Sequence, residues 1–574
     1  MHPRAPHRNF ASMRAALPLL LLAACSGSTP VRSSAAAAPA ASRGAPVEIG
    51  VASGLEKLRP GDPVPGQRQV SLVAARGECE SAQIAVRATH RIALLSAAAA
   101  PLRGPGAVSV QLYRVATLAL PRGSGPEGTA GEWPDPLVPA RDAFFGEARR
   151  AFPVEVASGR LQAIWVEVCV PAGAAPGEYR GEVRLRDGDR ALAAVPVRLR
   201  VWPFALPATG TFTAAFGLPT RVGTRALGRP DDPELGRALA AVLLRHRISP
   251  YTLSADPPDG TCTARRCDLD WSRFDAELGP VLDGTLVPGV KGTFAEVRIS
   301  AKVWDGPEQD LAATLRAWKR HFDARGWGDR LWLYTLDEPR PEQFPELRRR
   351  ARLARQAGIR VFATLAPHPA LAGAVDAFAP NLTLAPERPE RGVSFSYASC
   401  MSHGCDEIPP GGPTRTAMLR DFRGWPGYAI DRPATAARAV PWLGWRRGLS
   451  GELYYDVLHA WIDADPWHDV RAFAGNGDGT LLYPGRPAEL GGEHGFPVES
   501  IRLKVIRDAL EDVELLRMAD AAGLGALAQR TAARLIPTAR GFERAPRPWL
   551  DARFALGEAL ARRTLAAAQH GARR

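Results

Sequence analysis

From Val47 to Trp202, apolar and polar positions alternate in short runs broken by Gly and Pro: QVSLVAA, SAQIAVRA, VSVQLYRVATL, LQAIWVEVCV, GEYRGEVRLR and AAVPVRLRVW. A period of two puts every second side chain on one face of a strand, so these runs predict half-buried strands and a β-sandwich over residues 46–205. The link PFALPATG follows, and the rhythm changes. FTAAFGLP, ISPYTLS, FAEVRIS, LWLYTLDEP and VFATLAP read as strands that alternate with helical stretches at 234–246, 310–324 and 342–356. Asp232-Pro233 marks one helix start, since Asp caps orphan amides and Pro fits the first turn. LTLAP, VSFSYAS, GYAID and GELYYDVL bring the strand count close to eight, which predicts a TIM-type (β/α)8 barrel over 210–520. Past Ser500, Ile501, Val505, Ala509, Leu510, Val513 and Leu516 form one helical stripe, so that helix is expected to pack on the barrel. Helical stretches at 525–540 and 550–568 make 521–574 a C-terminal helical segment with a structural role. The fold class is therefore α/β plus β: an N-terminal β-sandwich, then a TIM-type (β/α)8 barrel with C-terminal helices.

The first residues follow another pattern. Arg4, Arg8 and Arg14 precede the apolar run Ala15 to Ala24, which stops at Cys25. This is a signal-peptide layout, and a shorter basic region starting at Met13 fits it equally. The run of about ten residues is half the roughly twenty that a membrane-crossing helix needs. Leu22-Ala23-Ala24-Cys25 resembles the bacterial lipobox, in which the cysteine is lipidated and becomes the first mature residue. A plain cleaved signal is the competing reading. The expectation is a signal peptide over 1–25, lipidation at Cys25, and a flexible Ala-, Ser- and Pro-rich linker over 26–45. The protein would then be exported and anchored to the bacterial envelope; Ser26, by lipoprotein sorting rules, points to the outer membrane.

The formal charge of +13 raises the question of nucleic acid. Lysine occurs only at 57, 291, 302, 319 and 504, and the abundant Arg is interspersed with acids rather than gathered in a tract. Solvated helix faces account for this better than a polyanion site, so no nucleic-acid partner is expected. Six cysteines follow Cys25. In an oxidising compartment they can pair as Cys262 with Cys267, Cys400 with Cys405 and, by elimination, Cys79 with Cys169. Zinc is the alternative, but the chain has no CxxC pair and no HExxH, so no metal site is expected.

The candidate chemistry lies in Asp337 and Glu338. They follow the apolar strand LWLYTL and precede Pro339-Arg340-Pro341, so they fall at a strand's C-terminal end, where a barrel gathers its functional groups. A cap for the next helix is the competing role. Ordinary glycosidases hold two carboxyls about 5 to 10 Å apart on opposite sides of the scissile bond. Neighbours in sequence suit a different scheme, in which the substrate's own 2-acetamido oxygen attacks the anomeric carbon. One carboxylate then steadies the oxazolinium while the other protonates the leaving oxygen.

LYTLDEP, WLGWRRGLSGELYYDVLHAW, GNGDGTLLYPG and PVESIRLKVIRDALEDVELL together resemble the catalytic domain of glycoside hydrolase family 123, also catalogued as domain of unknown function 4091, over roughly 210–520. RGECESAQIAV and PGEYRGEVRLR are similar to the N-terminal domain that accompanies it. The resemblance implies an exo-acting β-N-acetylgalactosaminidase working by substrate assistance on a glycan or glycolipid, with no metal or organic cofactor. Carried over by position, Glu338 is the general acid/base and Asp337 orients the acetamide. Burial, or the charge of Asp337, would have to raise the pKa of Glu338 for it to donate a proton near neutral pH. Tyr397 matches an aromatic position of the family, with Phe395 where Trp is common. Tyr455, where the family often has Trp, and Trp442, Trp445 and Trp461 are further candidates to meet sugar, and His459 stands where a small polar residue is common. Asn476-Gly477-Asp478-Gly479 reads as a tight turn that the family context puts near the barrel mouth. Arg502, Arg507, Asp508, Glu511 and Asp512 read as an ion-pair network. Two rivals remain: a glycosidase using a distant carboxylate such as Asp431 or Asp456, and a non-catalytic glycan-binding envelope protein.

Overall fold

The computed structural model describes residues 47–253, 256–385, 393–400, 405 and 424–571. The signal segment, Cys25 and the linker lie outside the described residues.

The N-terminal runs form two layers of sheet. One is a seven-stranded antiparallel sheet in the order Val47–Ser53, Cys79–Ala88, Leu161–Cys169, Val110–Leu120, Gly131–Pro139, Phe496–Ser500, Leu482–Gly485. The other runs Val70–Arg76, Arg190–Ala205, Gly177–Asp187, Ile92–Ala99, Val154–Val156. Ile84, Val86 and Val166 of the first meet Val70, Val183 and Leu199 of the second in a shared core. Alternation with exposed Arg180, Arg184 and Arg186 holds in the outer sheet. It fails in the inner one, where the strands are buried on both faces: Ala85, Ala163 and Trp165 point the other way, into the core shared with the barrel. Those strands read as half-buried because both sets of positions are small or apolar, and alternation cannot tell one core from two. Cys79 and Cys169 face each other in register and are joined, as are Cys262 with Cys267 and Cys400 with Cys405.

Eight parallel strands form the barrel: Thr213–Gly217, Ile248–Tyr251, Ala295–Glu296, Leu331–Tyr334, Arg360–Ala363, Ala377–Phe378, Val393–Tyr397 and Gly451–Tyr454. Consecutive strands pair except the second and third, and the eighth pairs with the first. The ring is nearly closed. Between the second and third strands Pro250 has no N–H to offer, and the Ser249 hydroxyl accepts instead from the N–H groups of Thr293 (3.0 Å) and Phe294 (3.1 Å). Tyr251, Phe294, Trp332, Phe362, Phe395 and Leu453 fill the interior. Two expected strands are corrected. The sixth is Ala377–Phe378 rather than LTLAP, which turns at Asn381–Ala385, and GYAID is irregular chain. Helices Pro233–Arg245, Glu308–Ala324 and Phe344–Gln356 match the periodic stretches, and Asp232 caps the first by accepting from Glu234 and Leu235 N–H. After the fifth strand there is a single turn, Pro369–Leu371, in place of a helix.

The helix Ile501–Ala521 departs furthest from its pattern. It is buried on every side from Ile501 to Leu516, charged residues included, because the inner sheet covers the face turned away from the barrel layer. Its charges are met one by one. Arg502 pairs with Asp135 at 2.8 Å, Lys504 with Glu167 at 3.0 Å and Asp512 with Arg438 at 2.7 Å, and Arg507 pairs with Glu167 and Asp508. Helix Pro546–Gly571 adds Arg553, which reaches Glu78 at 2.7 Å and Glu80 at 2.8 Å. Residues 45–574 form one compact unit.

Candidate active site

The fourth barrel strand sets the site. Trp332 points into the barrel and Leu333 into the surrounding core, so the strand is fixed on both sides up to Tyr334. Beyond it the chain turns, and Glu338 takes φ +41°, a left-handed conformation that costs a non-glycine residue about 1–3 kcal/mol. Neither carboxylate caps the next helix. That helix is led by the turn Pro341–Gln343, closed by Arg340 N–H donating to Gln343 Oε1 at 3.0 Å.

Side chains from three further points of the barrel rim organise the pair. Tyr334 Oη donates to Asp337 Oδ1 at 2.6 Å, and Thr364 Oγ1, after the fifth strand, donates to the same oxygen at 2.8 Å. Thr364 in turn accepts from Glu338 N–H at 2.7 Å. Tyr397, ending the seventh strand, donates to Glu338 Oε1 at 2.5 Å. Burial and the nearby Asp337 charge push the Tyr334 phenol well above its ordinary range, which keeps it a donor. Asp337 and Glu338 are themselves exposed, so the burial expected for Glu338 is not what the fold provides.

Further carboxylates ring the same end. Asp456 follows the eighth strand, is buried, and accepts from Leu458 N–H at 2.7 Å; loss of hydration raises its pKa to about 7. Burial, followed by the charges of Glu296, Asp337 and Asp456, pushes up the Tyr251 phenol. Asp431 is elsewhere: its carboxylate accepts from Ser124 N–H and Oγ, both at 2.6 Å, and ties a loop of the inner sheet to the barrel. Those two hydrogen bonds give Asp431 a structural role.

The predicted sugar contacts divide. Tyr397 lies against Glu338. Tyr455 stands on the rim, where its hydroxyl donates to Asp478 at 3.1 Å, and Asp478 also accepts from Cys400 N–H at 3.0 Å. Trp461 is buried with its indole N–H on Leu482 O at 2.9 Å, and Trp442 donates to Asp512 at 2.9 Å. Trp445 is buried in the last turn of helix Ala434–Arg446, at the strand-start end of the barrel. The structure does not bring these three tryptophans to the pair. Thr364 was missed; a threonine ending the apolar run VFAT was its only signal. The Asn476–Gly479 segment makes the expected turn, between strands Gly475–Asn476 and Leu482–Gly485, with Gly477 (φ +80°) and Gly479 (φ +68°) left-handed and Thr480 N–H donating to Gly477 O at 3.1 Å; a second, separate hairpin precedes it. Arg471–Ala472 pairs with Gly475–Asn476, and the turn residues are Phe473 (φ +50°) and Ala474 (φ +68°). Among the described residues no group of three or more His, Cys, Asp or Glu is placed to hold a metal ion. A cavity of about 210 Å³ lined by Thr220, Arg221, Arg273 and Glu277 lies among the outer helices and includes neither Asp337 nor Glu338.

Residues 418–519 match the family model described as glycoside hydrolase 123, catalytic domain. The matched segment contains the eighth strand, Asp456, Asp478 and most of the buried helix; Asp337 and Glu338, after the fourth strand, lie before it. No curated protein sequence matches the chain. Among solved structures, a family 123 glycoside hydrolase from Clostridium perfringens, described for glycolipid glycan hydrolysis, superimposes with a TM-score of 0.60 at 12% identity, covering 91% of this chain and 99% of that one. A family 39 glycoside hydrolase from Bacteroides cellulosilyticus WH2 gives a TM-score of 0.30 at 11% identity over 77% of this chain and 82% of its own, too low to carry an argument. The chain shares the fold of the Clostridium enzyme, and the family match supports a glycoside hydrolase.

Proposed function

We propose that the protein removes terminal β-linked N-acetylgalactosamine, or a closely related N-acetylhexosamine, from glycans or glycolipids by substrate-assisted retaining catalysis. One observation carries this reading: two adjacent carboxylates are held by different neutral donors, each through one oxygen. Tyr334 and Thr364 occupy Asp337 Oδ1, and Tyr397 occupies Glu338 Oε1. The second oxygen of each is left for substrate, one for the acetamide N–H and one for the glycosidic oxygen. In the first step the acetamide carbonyl oxygen bonds to the anomeric carbon as the bond to the leaving oxygen breaks. Glu338 gives that oxygen its proton, and Asp337 accepts from the acetamide N–H as positive charge grows on the oxazolinium. In the second step Glu338 takes a proton from water, whose oxygen opens the ring with overall retention.

The test is a pair of aryl β-galactosides, one with a 2-acetamido group and one with a plain hydroxyl. Cleavage of the acetamido sugar and inhibition by a thiazoline analogue are expected; cleavage of the plain sugar alone would end the proposal. A second reading is favoured by the buried Asp456, whose pKa of about 7 suits an acid of an ordinary two-carboxylate mechanism. In that case the thiazoline would not inhibit. We further propose export and lipid anchoring at Cys25, checked by palmitate labelling that is lost in Cys25→Ala.

A further inference from the structure

A line of contacts leaves Glu338 and ends on an exposed aromatic ring. Glu338 accepts from Tyr397; two residues on, Ser399 and Cys400 donate to Asp478; Asp478 accepts from Tyr455. The Tyr455 ring stands 5.6 Å from the imidazole of His459, which lies 5.2 Å from Phe473 with the two planes 34° apart. Phe473 is 43% exposed.

The backbone beneath Phe473 is specialised. A two-residue hairpin turn of left-handed residues is ordinarily built from Asn-Gly or Asp-Gly, because side chains there collide with the following carbonyl. Here Phe473 and Ala474 occupy both positions, although Asn476-Gly477 stands three residues downstream in the same segment. The hairpin is also pinned. Arg471 donates to Gly123 O at 3.0 Å, and its own N–H donates to Asp469 at 3.0 Å. On the other side Gly475 lies so close to Cys400 Sγ that an added Cβ would collide with it. A strained turn that leaves a large apolar ring 43% exposed gains little for folding, and strain kept in place by surrounding structure points to a function for it.

We infer that Phe473, backed by His459, is a stacking platform for the sugar ring on the leaving-group side of the scissile bond. This rests on the proposed glycosidase reading and deepens it. The C–H bonds on one face of a pyranose carry partial positive charge and lie against the negative face of an aromatic ring, while the hydroxyls at its edge need polar partners. The patch has the form of such a platform: one ring wide, with the tilted imidazole beside it and the half-buried Tyr455 ring 6.3 Å away at its inner edge. Partial burial lowers the His459 pKa, which keeps the imidazole uncharged near neutrality. A lipid chain would want a longer apolar strip than a single ring, so a hexopyranose is the occupant.

The experiment compares N-acetyl-β-galactosaminyl-galactose with methyl N-acetyl-β-galactosaminide, which shares the transferred sugar and lacks the second ring. Calorimetric binding is measured in Glu338→Gln, which does not turn the ligands over, and kcat/KM in the protein with Glu338 intact. Phe473→Ala is expected to weaken the disaccharide by about tenfold, the size of a good aromatic contact, and to leave the methyl glycoside unchanged. Phe473→Trp should retain disaccharide binding. Phe473→Asn, whose side chain tolerates the left-handed turn, should melt higher than the parent while losing the disaccharide preference. Equal effects on both ligands, or no disaccharide binding by the parent, would each overturn the platform. Absence of turnover by the unmodified protein, with the binding difference intact, would overturn the glycosidase reading alone.

Discussion

Two regions of this protein are rich in carboxylates, and they use them in opposite ways. Around helix Ile501–Ala521, Asp135, Glu167, Asp512, Glu78 and Glu80 meet Arg502, Lys504, Arg507, Arg438 and Arg553 within buried pairs. At the barrel mouth Asp337 and Glu338 meet two phenols and a threonine hydroxyl. A guanidinium fixes a carboxylate in both position and charge state, whereas a hydroxyl fixes position and leaves the charge free to answer a ligand. The first region glues sheet to barrel, and the second leaves its acids without a cationic partner among the described residues, as the proposed chemistry requires.

The sharpest way to break the contrast is Glu338→Gln. It keeps the hydrogen bond from Tyr397 and removes the proton donor of the proposed mechanism, so kcat against a 2-acetamido glycoside should fall about 10²–10⁴-fold while the melting temperature stays put. In the other region the effects reverse. Asp135→Ala strands Arg502, which is 1% exposed, and should cost about 3–5 kcal/mol of stability in denaturant titration, or prevent folding altogether.

Glu452 tests the boundary between the two, since it is as buried as the paired acids yet has only the Tyr428 hydroxyl, at 2.8 Å. Burial raises its pKa to about 7, so the folded state holds a proton that the unfolded chain releases near 4.5. Its contribution is therefore intact below about 4.5 and is lost as pH rises to about 7. Glu452→Gln, neutral throughout, should match the parent at pH 4 and exceed it by roughly 3 kcal/mol at pH 8, read from unfolding curves at both values. The smallest effect is Tyr397→Phe. Losing one oriented hydrogen bond to an exposed carboxylate should reduce kcat by about tenfold with little change in KM.

The contrast also marks what the sequence could disclose. A strongly apolar strand ending in Asp-Glu-Pro was legible as a rim position because strand, break and acids follow one another along the chain. Thr364 and Tyr397 are separated from Glu338 by 26 and 59 positions and meet it only when the ring closes. The strand Ala377–Phe378 went unseen because two residues carry no periodicity. Helix Ile501–Ala521 was legible as an apolar stripe with an ion-pair network, but the burial of its charged face was not, because the partners Asp135 and Glu167 lie hundreds of positions earlier. Trp445 and Trp461 illustrate the converse: an indole suits a sugar face and a core equally well, and here both are buried in the core.

The inner sheet takes its last two strands from Leu482–Gly485 and Phe496–Ser500. A ribosome making this chain delivers Gly131–Pro139 long before the partner that will cover its edge. Until then the strand is an open template for the wrong neighbour, in the same molecule or another. Its sequence, GEWPDPLVP, places prolines at 134, 136 and 139, and residues that lack an N–H make the strand a poor template for stray pairing. The late arrival needs little pairing in return, since only Glu499 and Ser500 register with it, opposite Leu137 and Pro136. The order of synthesis is thus written into the choice of residues on a strand that must wait.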